Sequence, residues 1–234
     1  MNNRFLTLSL TLCSALLAAS LSGCASLSWK KPTLPTLPSF SRAKAPADEE
    51  LPQSQTVKLC LTTAAELTQK GHVREATLLY EKARNLDAQA ADYPRLLAPL
   101  YALQDDFPRA HAEYRVALAA HPADADLLND LGCLHDRQGN FVDAEIVLRQ
   151  AIASSPNPDR ARVNLGLALA HQGKYQESFD SFAAVVGPAA AHSNLGAIMA
   201  RQGRTAEAKQ ALRTALSMNP ELKPARSLLT HLGE

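Results

Sequence analysis

Apolar residues recur with helical spacing through residues 124–156. In the first half of this stretch Leu128 and Leu131 fall on one face, which predicts an amphipathic helix. Turn-forming residues around Gly139 end that helix, and a second apolar stripe that contains Leu148 predicts another. A pair of helices this short cannot bury its apolar faces alone. The pattern therefore predicts that further copies of the same unit pack against it.

The same pattern returns at intervals of about 34 residues. Leu131-Gly132 aligns with Leu165-Gly166, and Gly139 aligns with Gly173. A shorter step of 30 residues leads to Leu195-Gly196. We predict a last helix over 223–234 that covers the end of the array. The predicted units are 57–90, 91–124, 125–158, 159–188 and 189–222.

A 34-residue period, with a small residue midway through the first helix and an alanine early in the second, resembles the tetratricopeptide repeat. The resemblance implies an all-α fold, a right-handed α-solenoid of about five helix-turn-helix repeats with a C-terminal capping helix. Gly132, Gly166 and Gly196 are expected where two helices approach closely. Large residues of the second helices are expected to fill the space between units. They are Tyr80, Tyr114, Leu148, Phe182 and Leu212.

Two units depart from the regular pattern. Pro99 falls inside the first helix of the second unit, where it removes a backbone donor and predicts a kink or a short helix. Asp105-Asp106 precedes Phe107 and favours the start of the next helix. The fourth unit lacks four residues near Gly187-Pro188, which predicts a short second helix or a short turn after it.

Residues 1–23 have the pattern of a lipoprotein signal peptide. Arg4 supplies the positive charge, and the apolar stretch 5–21 is short for a membrane-spanning helix. The sequence Leu21-Ser22-Gly23-Cys24 resembles a bacterial lipobox. The resemblance implies cleavage before Cys24 and acylation of its thiol and its new amine. An ordinary secretory signal with a chance cysteine is the alternative interpretation.

Residues 24–56 are predicted to form a lipidated N-terminus and a proline-rich disordered tether. The triplet spacing in "PTLPTLP" favours polyproline II, and a role as a ligand is the alternative to a spacer. Ala25, rather than Asp, follows Cys24, which in bacteria with two membranes favours the outer one. We therefore expect a lipid-anchored protein of the bacterial cell envelope, on the outer membrane and facing the periplasm.

Composition and motifs give no indication of catalysis. The net charge of +1 offers no argument for a nucleic-acid partner. Cys60 and Cys133 lie two units apart, beyond expected disulfide reach. The seven histidines lack metal-ligand spacing, and no nucleophile or phosphate-loop motif occurs. We expect a non-enzyme with no catalytic residue, cofactor, metal or small-molecule substrate.

The first helices carry a second face, opposite the packing stripe. The resemblance implies that this face lines a concave groove for segments of other proteins. Asn164 and Asn194 align in it, and stacked amides can hydrogen-bond a peptide backbone. The alternative is that these asparagines only support neighbouring helices. The candidate groove residues are Asn129, Asp130, Arg137, Arg160, Asn164, Leu167, His171, Asn194 and Arg201.

The predicted function is that of a membrane-anchored adaptor that binds partner segments in the groove. A lipobox, a proline-rich tether and five repeats in this order resemble the small lipoproteins of tight-adherence (Flp) and type IV pilus assembly. An outer-membrane assembly or envelope-linking factor is an alternative. A substrate-binding subunit of a glycosyltransferase or another enzyme is an alternative of another class. The repeats extend almost to residue 234, so we expect no catalytic domain. The sequence does not indicate the oligomeric state.

Overall fold

The computed structural model describes residues 51–233, and in this range all regular structure is α-helical. The predicted all-α class is confirmed. The predicted signal peptide, Cys24 and most of the predicted tether lie outside the described residues. The helices are α1 (Gln53–Gln69), α2 (Val73–Leu86), α3 (Tyr93–Leu103), α4 (Phe107–Ala120), α5 (Ala125–Arg137), α6 (Phe141–Ser154), α7 (Asp159–His171), α8 (Tyr175–Val186), α9 (Pro188–Arg201), α10 (Thr205–Met218) and α11 (Lys223–His231).

Helix α1 begins at Gln53, four residues before the predicted start of the first unit. Pro52 precedes it, and the Pro52 carbonyl accepts hydrogen bonds from the backbone N–H groups of Gln55 and Thr56 at 2.9 and 3.0 Å. Val57 is the first buried residue of the helix. The added turn has no apolar residue facing the core, so the periodic pattern does not reveal it.

The turn between the helices of each unit uses a backbone conformation with positive φ. Gly71, Gly139, Gly173 and Gly203 adopt it with φ between 77° and 79°. In the second unit Asp105 occupies the same position with φ 60°. Aspartate is among the few residues with a side chain that visit this left-handed region, so the turn is kept without glycine.

The small residues of the first helices lie against the large residues of the second helices. A Cβ atom added to Gly166 would lie 2.8 Å from Cε1 of Phe182, and one added to Gly196 would lie 2.8 Å from Cγ of Leu212. Gly132 faces Leu148 in the same way. The same large residues also pack against the next helix of the array, as predicted, since Leu148 clusters with Leu165, Phe182 with Leu195, and Leu212 with Ala225. The hairpin folds the middle of each second helix onto the first helix of its own unit.

The irregular units have the predicted short helices. Helix α3 contains Pro99 and has 11 residues, whereas α5 and α7 have 13 each. Helix α8 has 12 residues, and Gly187 alone joins it to α9. At the start of α4 the Asp106 carboxylate accepts a hydrogen bond from the Arg109 backbone N–H at 3.2 Å. This is the cap that the Asp105-Asp106 pair predicts.

The first helices of successive units approach one another and define the concave side. Helix α3 contacts α5, α5 contacts α7, α7 contacts α9, and α9 contacts α11. Within residues 51–233 no two second helices make a comparable contact. The concave surface is therefore formed by α3, α5, α7, α9 and α11. Among consecutive helices, α4 and α5 are the least extensively packed pair.

Helix α11 covers the last unit. Ala225 is fully buried against α10, where it meets Leu212 and Ala215. Leu228 and Leu232 are half-buried beside them. The helix thus covers apolar surface of α10 that would otherwise face water.

Candidate partner-binding surface

The centre of the concave surface contains two asparagines that bond to each other. Asn164 of α7 donates a hydrogen bond from Nδ2 to Oδ1 of Asn129 on α5, at 2.8 Å. The Asn129 amide donates in turn to Asp130 at 3.1 Å. Asn129 is only 4% exposed. It therefore lies between the two helices rather than on an open groove wall, and it supports its neighbours.

Two side-chain contacts reinforce the α5–α7 pair. Arg160 on α7 lies 2.9 Å from Oδ1 of Asp130 and 3.5 Å from Oδ1 of Asp126. Nδ1 of His171 lies 3.0 Å from Oδ1 of Asp136. Burial raises the pKa of Asp130 above its ordinary value, although Arg160 acts against this rise. Five of the predicted groove residues are thus partly occupied by bonds within the protein, namely Asn129, Asp130, Arg160, Asn164 and His171.

Arg137 forms a similar contact one unit earlier. Its guanidinium donates to the backbone carbonyl of Ala102 at 2.8 Å and to the Asp105 carboxylate. The side chain bridges the end of α5 to the end of α3. Asp105 therefore fills the turn position and also anchors the arginine of the next unit.

The corresponding positions on α9 have no such partners. Asn194 aligns with Asn164, but Val163 occupies the place in α7 that Asn129 occupies in α5. Arg201 aligns with His171, and Ala170 stands where the acidic partner of that histidine would be. Within residues 51–233 neither the Asn194 amide nor the Arg201 guanidinium has a hydrogen-bond or ion-pair partner. The α9 part of the concave surface is therefore the one whose polar groups are available.

An open cleft of about 480 Å³ lies between α9 and α11. Ala197 and Ala200 leave room on the α9 side, and Leu167 on α7 supplies a half-buried apolar residue further along the surface. The lining is mostly apolar, with one arginine and one histidine. The lining residues are Ala197, Ala200, Arg201, Leu228, His231 and Leu232.

The opposite side of the array has four junctions between units. Ion pairs cross the first and the third of them. At the first, the Tyr101 hydroxyl donates a hydrogen bond to the Glu81 carboxylate. The Arg109 guanidinium stacks on the Tyr101 ring, with Cζ 4.3 Å from the ring centroid. At the third, Glu145 is buried and accepts hydrogen bonds from Lys174 and Gln172.

The second and fourth junctions are open clefts. In the second, the His111 and His135 rings lie 5.0 Å apart. In the fourth, Phe179 contacts His192, with ring centroids 4.6 Å apart, near Met199. The equivalent of Glu145 is His111 in one cleft and Phe179 in the other. Neither residue can form the charged cluster that closes the third junction.

Residue types that could act in catalysis or bind a metal are dispersed over residues 51–233. Cys60 is buried and Cys133 half-buried, both as free thiols, and burial raises the pKa of Cys133 to about 11. No group of three or more His, Cys, Asp or Glu side chains within 51–233 is placed to hold a metal ion. In the same range no helix has the length and apolar character needed to cross a membrane.

Comparison with known families agrees with this architecture. One tetratricopeptide repeat model matches residues 95–158 and 129–194, and another matches 189–222. Together they cover more than half of the chain. The chain belongs to the tetratricopeptide repeat family. The matched units are the second to the fifth, and the first unit has the same pair of helices in the structure.

The tetratricopeptide chain is also similar to pilus assembly proteins. It is 30% identical over 116 residues to the type IV pilus assembly protein PilF of Pseudomonas aeruginosa. This match covers 49% of the chain and 46% of PilF, so the chain spans about half the length of this curated relative.

Two solved structures share the fold. The type IV pilus biogenesis factor PilW has a TM-score of 0.55 at 22% identity, over 76% of this chain and 89% of PilW. YrrB, a tetratricopeptide protein with an unusual peptide-binding site, has a TM-score of 0.55 at 24% identity, over 75% of this chain and 96% of YrrB. At these identities the likeness shows the fold alone.

Sequence reasoning did not identify two features of this surface. It did not foresee the Asn129–Asn164 bond, whose partners are 35 residues apart and so one position off the repeat alignment. It also left out Leu228 and His231. Continuing the 34-residue period past residue 222 would have aligned them with Asn194 and Ala197.

Proposed function

We propose that this protein is a lipid-anchored adaptor of the bacterial cell envelope. It holds a segment of a partner protein on its concave surface while a pilus or a secretion machine is assembled. The observation that carries the proposal is the contrast between α7 and α9. Asn164 is bonded to the neighbouring helix, whereas the aligned Asn194 is open to a partner.

The relatives support the assembly role. Tetratricopeptide repeats bind other proteins, and PilF, with which the chain shares 116 aligned residues, is a type IV pilus assembly protein. Asn194 and the apolar side chain of Leu167 together suit a peptide, since the amide can bond its backbone while the leucine contacts its side chains.

Anchoring through Cys24 is part of the proposal. Several buried acyl chains, at about 0.8 kcal/mol per CH₂, hold a protein stably on a bilayer. Mass spectrometry of the mature N-terminus is expected to show an acylated Cys24. The Cys24→Ser variant is expected to lose membrane attachment or processing. An intact, unmodified Cys24 in a mature product free of the membrane would contradict the lipid anchor.

The partner-binding side is tested by photo-crosslinking in cells. A photoreactive amino acid is placed at Asn194 on the concave surface or, as the control, at Leu78, which is 65% exposed on α2. We expect a crosslink to one defined envelope protein from position 194 and none from position 78. Equal crosslinking from both positions, or none from 194, would contradict binding on the concave surface.

The assembly role requires a separate test. Deletion of the gene is expected to reduce surface pili or secreted product, and the wild-type gene is expected to restore them. If the crosslinked partner belonged to neither a pilus nor a secretion machine, the adaptor function would stand and the assembly role would be contradicted.

A further inference from the structure

The available polar groups of the concave surface lie at one end. On α5 and α7 the polar side chains are engaged with one another, as Arg160 is with Asp130 and His171 is with Asp136. On α9, Arg201 has no carboxylate partner among residues 51–233. The surface therefore changes from internally paired charge to an available positive charge towards α11.

The cleft beside Arg201 has the features of a docking site for side chains. Its volume of about 480 Å³ lies within the range of about 300–1,000 Å³ that binding pockets take. Ala197 and Ala200 form one wall, and Leu228 and Leu232 form the other. An aliphatic side chain inserted there would exchange water for four apolar neighbours.

The charge at the cleft has one sign. Arg201 is exposed at one edge, His231 is exposed at the other, and none of the lining residues within 51–233 is acidic. A cation over an apolar cleft attracts a carboxylate carried by a segment whose apolar side chains enter the cleft. A basic or neutral segment would gain the apolar contact without the ionic one.

We propose that the α9–α11 cleft binds an apolar segment of the partner protein that carries an aspartate or glutamate beside its apolar side chains, with the carboxylate on Arg201. This inference rests on the proposed adaptor function and specifies its partner. Asn194, about two helical turns before Arg201 on α9, hydrogen-bonds the backbone of the same segment.

Matched peptides test the chemistry without the natural partner. Short fluorescein-labelled peptides contain two leucines and one variable position, which is Glu, Gln or Lys in otherwise identical sequences. Their affinity for the full-length protein in detergent micelles is measured by fluorescence anisotropy at neutral pH. We expect the Glu peptide to bind about three- to tenfold more tightly than the Gln peptide, and the Lys peptide to bind most weakly.

Two variants and one control variant locate the effect. Arg201→Gln is expected to remove the preference for Glu while the affinity for the Gln peptide stays the same. Arg74→Gln, a change of an exposed arginine at the start of α2, is the control and is expected to keep the preference. Ala197→Trp, which fills the cleft, is expected to weaken the binding of all three peptides. Circular dichroism verifies that each variant is folded.

The outcomes separate this inference from the adaptor function. Equal binding of the Glu and Gln peptides, a preference that survives Arg201→Gln, or no binding of any peptide would overturn the acidic-segment proposal. If position 194 still crosslinks to a partner in those cases, the adaptor function stands and only the partner chemistry is wrong. If no crosslink forms either, both fail.

Discussion

Gly166 shows how one missing side chain sets a helix contact. Its Cα faces the Phe182 ring so closely that even a Cβ would lie 2.8 Å from a ring carbon. Glycine weakens a helix by about 1 kcal/mol relative to alanine. Its place in α7 therefore reflects the packing of the two helices rather than the helical preference of the residue.

We predict that Gly166→Leu lowers the free energy of unfolding by about 1–3 kcal/mol or more, because the new side chain overpacks against Phe182. Ala184→Leu, on the exposed face of α8, is the control and is expected to change stability little. Thermal and urea denaturation measure both. A higher melting temperature for Gly166→Leu would show that the helices do not cross here.

The two aligned asparagines are expected to behave differently. Asn164→Ala removes the hydrogen bond to Asn129 and is expected to lower stability by about 0.5–1.5 kcal/mol. Asn194→Ala is expected to leave stability unchanged. It is expected to weaken the binding of a partner segment by about 0.5–1.5 kcal/mol of binding free energy, because one hydrogen bond to the segment is lost. Denaturation and binding are measured side by side for each single variant and for the double variant. Lost stability with unchanged binding in Asn194→Ala would mean that this amide is structural.

His135 is a half-buried polar residue in an apolar column. Its Nδ1 atom is buried without a hydrogen-bond partner, and the aligned residue in the next unit is Leu169. Burial and the neighbouring His111 lower the pKa of His135 below its ordinary value of 6.5. The unfolded chain therefore binds a proton more readily than the folded protein, and stability falls as the pH drops below about 6.5.

We predict that His135→Leu raises the free energy of unfolding by about 1 kcal/mol at neutral pH, since an unsatisfied buried group is removed. The gain is expected to widen at pH 5, because only the wild-type protein has this histidine to protonate. Urea denaturation at both pH values measures the difference, and His72→Gln, an exposed change, is the control. A gain that is equal at both pH values would contradict the role of protonation.

Between α6 and α8, a charged cluster joins two units. Burial of Glu145 raises its pKa, but hydrogen bonds from Lys174 and Gln172 and the charge of Arg149 outweigh burial and hold the pKa below its ordinary value of 4.5. The stabilising contribution of this carboxylate is therefore present above pH 4.5 and is lost as the pH falls through the lowered value.

We predict that Lys174→Met lowers the free energy of unfolding by about 1–3 kcal/mol at pH 7, because the buried carboxylate loses a charged donor. The loss is expected to shrink in acid, where the wild-type protein also protonates Glu145. Lys82→Met, a change of an exposed lysine on α2, is the matched control. If Lys174→Met and Lys82→Met lowered the free energy of unfolding equally at every pH, the cluster would not stabilise the junction.

At the level of the whole array, stability is a sum over units and junctions. The α4–α5 junction is the least extensively packed between consecutive helices, and the cleft beside it contains the unsatisfied His135. We predict that amide hydrogen exchange is faster around residues 118–131 than at the equivalent junction of α6 with α7. Exchange followed by mass spectrometry measures this, and slower exchange at α4–α5 would contradict it.

Much of the fold was predictable because every unit solves the same packing problem. The period located the turns at Gly139 and Gly173, and the prolines and the deletion located the short α3 and α8. The polar contacts of the concave surface were not predictable in this way. Asn129 meets Asn164, and Asp136 meets His171, across 35 residues rather than 34. That offset depends on how neighbouring units are rotated, which helical spacing within one unit does not specify.

The loose α4–α5 junction also has a mechanical consequence. The units are linked in series, so a tensile force between α1 and α11 acts equally on every junction. The junction with the least packing extends first, while the bonds between α5 and α7 keep the third and fourth units together. Under load the array would behave as two stiff segments with one compliant joint, and the concave surface beyond α5 would keep its geometry.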